Sequence, residues 1–227
     1  LQPLSRDSSP GFPDGVYFAS DFLLGAGMVI LQPSTSKVVV VYDEKNGYWF
    51  LPKGRKDVGE SLEAAALREA YEESGYRAEF LPLSIPSNAP TPPSQRPRLL
   101  HPNTEPIYMS THRWYRPQRY QPRDASGGEY LTFWYVGMIP DDAQWHPDTG
   151  MQDEKDYRAH LLEYQDAMEK LDGLRRVDGI VVQKAYELWH FTVKNERQVQ
   201  RAREIEADAA AKKCATDQPV PGESHPQ

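Results

Sequence analysis

The chain has 227 residues, a formal net charge of −7, 39% hydrophobic and 26% charged residues. That length fits one large domain or one domain with appendages, and an 11% aromatic content with dense apolar runs excludes a wholly disordered chain. The acidic balance argues against broad electrostatic binding to nucleic acid. The best apolar run, Phe22–Leu31, is about half of the roughly 20 residues that a membrane-spanning helix needs.

Residues 1–15 are rich in Pro, Ser and Gly and read as a flexible N-terminal arm. No basic stretch followed by an apolar one opens the sequence, so no secretory signal is expected. Globular patterning starts near Val16. Phe22–Leu31 and the valine-rich Lys37–Tyr42 are strand-like, and Tyr48–Leu51 is a return strand that Pro52 ends. Ser61–Ser74 reads as a helix, with Ser61 as N-cap, Glu63 in the first turn and Gly75 as the stop. Tyr76–Leu83 is expected to resume as a strand.

Residues 84–123 carry nine prolines and six arginines (Arg96, Arg98, Arg113, Arg116, Arg119 and Arg123) with Glu105 as the one acid. This basic stretch, extending to about 128, reads as an insertion, with a strand over Pro106–Tyr115. Glu129–Ile139 is apolar on both alternating faces, the pattern of a central strand. An acidic loop follows (Asp141, Asp142, Asp148, Asp153, Glu154). A helix is expected over Tyr157–Leu171 and another from Val177, its apolar stripe fading after Val193. Residues 194–213 read as a solvated or partner-seeking extension of that helix, and 214–227 as a disordered tail. The order of strands and helices implies an α/β or α+β sandwich. Cys214, the only cysteine, excludes an intramolecular disulfide and a cysteine zinc cage and fits a reducing compartment, cytoplasmic or nuclear. The histidines show no metal-ligand spacing.

The chemistry concentrates in Gly54–Tyr76. At 100° per residue, Glu69, Glu72 and Glu73 fall within an arc of about 100° that Leu62, Ala65 and Ala66 share one or two turns earlier. The carboxylates therefore continue an inward-facing stripe. Like charges at these spacings destabilise a helix, and Arg68 alone does not balance three of them. Oxygen-only donors call for a hard divalent cation, Mg²⁺ before Mn²⁺, with a surface helix bearing an acidic face as the plain alternative.

The spacing is more specific than the periodicity. Gly54, five residues, Glu60, seven residues, then Arg68-Glu69-Ala70-Tyr71-Glu72-Glu73-Ser74-Gly75-Tyr76 resembles the Nudix box, G-x5-E-x7-R-E-U-x-E-E-x-G-U, where U is a bulky apolar residue. Ala70 is small for its position, and Tyr76 is aromatic where an aliphatic is usual. The resemblance is strongest over the box, extends weakly over 16–193, and leaves the arm, insertion and tail unexplained. It implies a mixed sheet between helices, a loop–helix–loop metal site, and hydrolysis of a diphosphate linkage. It further implies Glu72 and Glu73 as Mg²⁺ ligands, Glu69 as ligand or base, Glu60 as a group holding Arg68 or a metal-bound water, Arg68 as an orienting partner, and the Lys53 or Gly54 carbonyl as a further ligand. In some relatives the base lies outside the box.

Pro52-Lys53-Gly54 resembles the lead-in of Nudix hydrolases of dinucleoside polyphosphates and diphosphoinositol polyphosphates, with Lys53, Arg55 and Lys56 at the mouth of the site. The insertion offers Arg113 and Arg116 to grip phosphates and Trp114, Tyr115 or Tyr120 to stack on a base. Against that stands a surface loop whose arginines pair with the acidic 141–156 loop. The partner expected is an anionic small molecule, a homo-oligomer being compatible with the helical extension. An ADP-ribose or nucleotide-sugar pyrophosphatase and a non-catalytic Nudix scaffold remain alternatives.

Overall fold

The computed structural model describes residues 7–8, 15–90, 102–114 and 127–216, the side chains of 174 and 208–216 excepted. The chain forms two compact units, one of Leu1–Leu81 with Thr104–Ala185 and one of Pro82–Asn103 with Tyr186–Gln227.

The first unit is built on a mixed sheet. Its strands are β1 (Phe22–Gln32), β2 (Lys37–Asp43), β3 (Tyr48–Phe50), β4 (Lys53–Arg55), β5 (Glu79–Phe80), β6 (Tyr108–Trp114), β7 (Gly128–Met138) and β8 (Tyr157–Glu163). The order is β3-β2-β1-β7-β5, with β4 also on β1, β6 also on β7 and β8 also on β2. β1 and β7 run parallel from Phe22 opposite Glu129 to Leu31 opposite Met138, and the other pairings are antiparallel. β1 and β7 are apolar on both faces because both faces are covered.

Helix α1 (Leu62–Ser74) lies on one face, packing Ala65, Ala66 and Ala70 against Ala26, Met28, Ile30, Val39 and Tyr135. Small residues on the helix let it approach the sheet closely. On the opposite face Val29, Leu31, Val38 and Val40 are buried. Helix α2 (Tyr164–Lys170) lies on that side, its Lys170 ammonium 5.8 Å from the Trp49 ring, which packs on Tyr42 and His160. The start of α3 (Val177–Thr216) buries Val181, Val182 and Ala185, and the Asp178 carboxylate accepts the Leu51 N–H at 3.0 Å.

In the second unit, Leu83 and Asn103 exchange backbone hydrogen bonds of 2.9 Å, and the Ser84 N–H donates to Thr192 Oγ1 at 2.8 Å. α3 continues without a break, and its residues 196–207 are exposed.

Three sequence expectations differ. The helix expected over 157–171 is strand β8 followed by α2. Tyr157, Ala159 and Leu161 alternate with exposed Arg158 and His160, and the open edge of β2 takes this segment as a partner, Val39 opposite Leu161. Leu161 and Leu162 together also fit a helical stripe, so periodicity left the choice to tertiary pairing. The strand expected over 76–83 is only Glu79–Phe80, plus single bridges at Tyr76 and Leu83. Lys53–Arg55, where the sequence pattern places no strand because the preceding one is read as ending at Pro52, is a strand hydrogen-bonded to β1. Within the stretch read as a flexible arm, Asp7 receives the Lys184 ammonium at 3.0 Å, and its carbonyl accepts the Tyr108 hydroxyl at 3.0 Å.

Candidate metal centre

α1 is fixed at both ends by local sequence. Ser61 Oγ accepts the Ala64 N–H at 3.1 Å. Gly75 closes the helix at φ +74°, donating its N–H to the Tyr71 carbonyl at 2.8 Å. A side chain there would be strained by the left-handed conformation and would run into the His146 carbonyl. With both ends set, Glu69 falls in line with Ala65, Ala66 and Ala70 and is only 6% exposed.

Arg68 braces the acids. Its Nε and Nη2 each donate to Glu60 at 2.9 Å, a two-point fork. Its Nη1 donates to Glu69 Oε1 at 2.7 Å and Glu72 Oε2 at 2.9 Å, and Nη2 also reaches the Arg55 carbonyl at 2.9 Å. Glu60 Oε2 further accepts the Asp57 N–H at 2.9 Å. One guanidinium thus ties the loop before the helix, strand β4 and the helix itself. Its hydrogen bond holds the Glu60 carboxyl below the usual range, and Glu60 in turn pushes the guanidinium up.

Carboxylate oxygens of Glu69, Glu73 and Glu154 lie within 4.8 Å of one another. Glu154 closes a 3-10 turn (Gln152–Glu154), and its Oε2 accepts the Met151 N–H at 2.7 Å. Glu73 Oε2 accepts the Lys53 N–H at 2.7 Å. Burial pushes the Glu73 carboxyl up to about 8, with Glu69 and Glu154 adding to the rise and Lys53 offsetting part of it. Burial also raises Glu69, against the pull of Arg68. Gly54 is required here: a Cβ would occupy the place of the Glu69 carboxylate. Three converging oxygen donors, two of them penalised for carrying charge, suit a hard divalent cation.

Glu73 and Glu154 border a cleft of ≈ 680 Å³ whose lining also includes Glu72, Trp145, Lys155 and Tyr157. Of the residues singled out from the sequence, Glu69 and Glu73 meet in the three-acid group, and Glu72 faces Arg68. The Lys53 ammonium lies 5.2 Å from the Phe50 ring centroid and 6.0 Å from that of Trp134. Lys56 Nζ donates to the Asp57 carbonyl at 2.9 Å. Arg113 pairs with Glu129 at 3.1 Å, opposite it across β6 and β7. Arg96, Arg98, Arg116, Arg119, Arg123, Tyr115 and Tyr120 lie outside the described residues.

Glu154 was not singled out by spacing, since it stood as one acid of a loop. Tyr157 was also missed. Its hydroxyl is pushed up by burial and then by Glu73, and its ring packs edge-on to Phe50 at 5.0 Å.

Comparison with known proteins gives a match to the NUDIX domain over residues 21–184. A protein of Bacillus subtilis (strain 168) named "Putative 8-oxo-dGTP diphosphatase" is 44% identical over 54 residues, 24% of this chain and 36% of that relative. The chain thus spans about a third of that relative's length. Among solved structures, a NUDIX hydrolase from Nitrosomonas europaea is 19% identical with a TM-score of 0.43, covering 74% of this chain and 88% of its own. A C. elegans Ap4A hydrolase is 18% identical with a TM-score of 0.42, covering 74% and 98%.

Proposed function

The chain belongs to the Nudix family, and from that premise we propose that it is a Mg²⁺-dependent hydrolase of a diphosphate linkage, Mn²⁺ being the alternative ion. The observation that carries this reading is the convergence of Glu69, Glu73 and Glu154 within 4.8 Å. These three would hold the cation, with the Gly54 carbonyl as a further donor, Glu72 adding charge beside Arg68, and Arg68 and Glu60 fixing the helix register. A bound divalent ion supplies phosphoryl charge neutralisation and a water of lowered pKa.

The protein's own part is positional. Arg68 holds Glu69 and Glu72 in place through its Nη1 hydrogen bonds. The Lys53 N–H orients one oxygen of Glu73, leaving the other for the ion. Glu69 or Glu154, as carboxylates of the cluster, takes the proton of the attacking water. Lys53, Arg55 and Lys56 lie at the start of the box, where cations favour substrates carrying many phosphates. We therefore favour dinucleoside polyphosphates or diphosphoinositol polyphosphates. The relative's named substrate, 8-oxo-dGTP, presents the same anhydride and belongs in the same screen.

The test is incubation with a panel of diphosphate compounds, including ADP-ribose, with Mg²⁺ or with chelator, and identification of products by mass. Mg²⁺-dependent cleavage of one class supports the reading. Cleavage undiminished in excess chelator overturns the metal role, and tight binding without cleavage points to a non-catalytic scaffold.

A further inference from the structure

We propose that segment 145–150 is a positioning device for Glu154, with Thr149 as its principal residue. This rests on the reading of Glu154 as a metal-site carboxylate. Glu69 and Glu73 share one helix, so their separation is fixed by helical geometry. Glu154 comes from a different element, and its place in the group is only as reproducible as the connection between that element and α1.

That connection runs through the end of the helix. The last turn of any helix leaves carbonyls without intrahelical donors. Here the loop supplies donors to the Glu72 and Ser74 carbonyls and a second donor to that of Tyr71, which already accepts the Gly75 N–H. Thr149 Oγ1 lies 2.9 Å from both the Tyr71 and Glu72 carbonyls, so its hydroxyl proton is shared between them. The Trp145 indole N–H donates to the Ser74 carbonyl at 3.1 Å, and the His146 N–H to the Gly75 carbonyl at 2.9 Å. Trp145 also forms a backbone bridge with Tyr76.

From Thr149 the path to the acid is short. Gly150 threads between the helix end and Glu154: a Cβ there would lie 3.0 Å from the Glu72 carbonyl and 2.6 Å from Glu154 Oε2. Met151 follows, and its N–H orients that same Oε2 at 2.7 Å. The Thr149 hydroxyl thereby registers the Glu154 turn against the helical residue that immediately precedes Glu73. A hydroxyl that merely capped α1 would stabilise the helix and leave the acid group indifferent to it.

Titration of the substrate-free full-length chain with Mn²⁺, followed by electron paramagnetic resonance, separates these cases. Thr149→Val keeps shape and removes the donor. It is expected to weaken Mn²⁺ binding about threefold to tenfold, the range for losing one or two hydrogen bonds. Thr149→Ser restores the donor and should return affinity to within about twofold. On a Glu154→Gln background Thr149→Val should cost nothing further, because the group it positions is already disabled. Gly150→Ala, whose Cβ would press on Glu154 Oε2 and on the Glu72 carbonyl while the Thr149 hydroxyl is retained, should weaken binding similarly and decides the matter if Thr149→Val fails to fold. Parent-like Mn²⁺ binding by Thr149→Val and Gly150→Ala, with Glu154→Gln impaired, overturns the positioning role alone. A Thr149→Val loss that adds in full to that of Glu154→Gln also overturns it. Parent-like binding by Glu154→Gln overturns the reading of Glu154 itself, and the positioning role with it.

Discussion

Glu73 carries an opposition between charge and environment. Its carboxyl is pushed up to about 8 by burial beside Glu69 and Glu154, while an unfolded chain would titrate it near its ordinary value of 4.5. A folded state that keeps its proton longer than the unfolded state loses stability as pH rises between those two values. The metal-free protein should therefore melt progressively lower from about pH 4.5 to about 8 and level off above, and Mg²⁺ should flatten the slope. Glu73→Gln keeps an oxygen for the Lys53 N–H and removes the charge. It should abolish most of the slope and stabilise the metal-free protein by about 1–3 kcal/mol near pH 8. Turnover should fall by a factor of about a hundred or more, as for loss of a group that acts only on the reacting centre. Melting curves against pH, with and without Mg²⁺, and initial rates check both parts. A variant that melts early and turns over normally would make Glu73 a structural residue.

At the scale of the element, α1 is a short helix defined by a serine cap and a glycine stop, so its register and its acids move together. Gly75 is the sensitive end. It adopts φ +74°, and a Cβ would strike the His146 carbonyl. Gly75→Ala should cost about 1–2 kcal/mol for the left-handed conformation alone, read as a lowered urea midpoint. It should also loosen the loop that leads to Glu154, so Mg²⁺ dependence should shift to higher concentrations. Unchanged midpoint and unchanged Mg²⁺ dependence would show that the helix end is not the anchor described. Strand β4 serves the same acids: its Gly54 clears room for the Glu69 carboxylate and its Lys53 N–H holds Glu73.

For the molecule as a whole, catalysis and selectivity are expected to separate. Arg113 is largely exposed, its side chain 66% accessible, and paired with Glu129. Exposed pairs contribute little to folding, about 0–1 kcal/mol, so Arg113→Ala should leave stability nearly unchanged. If the basic insertion reads substrate phosphates, the same change should raise KM for polyphosphorylated substrates more than for ADP-ribose, with kcat preserved. Equal effects on all substrates, or none, would make the insertion a passive loop. Removal of residues 196–227 should leave turnover within about twofold, because residues 196–207 of α3 are exposed and carry little apolar burial. A truncated chain that is insoluble, or that changes its mass in light scattering, would mark the end of α3 as an interface.

Neighbours along the chain suffice to specify the Ser61 cap, the Gly75 stop, the inward placement of Glu69 and the spacing of the box. These follow from local hydrogen bonding and a 3.6-residue period, and the strand character of 22–31, 37–42 and 129–139 follows from their apolar runs. The remaining features each depend on a partner distant in the chain. β8 is a strand because β2 offers it an edge, although its own residues also fit a helix. β4 exists because β1 pairs with it. Arg68 serves Glu60, Glu69 and Glu72 together because β4 and the loop before α1 bring Glu60 to its guanidinium. Glu154 joins Glu69 and Glu73 because a loop far along the chain caps the end of α1. No spacing rule encodes that meeting, since it depends on donors in one segment finding unpaired carbonyls in another.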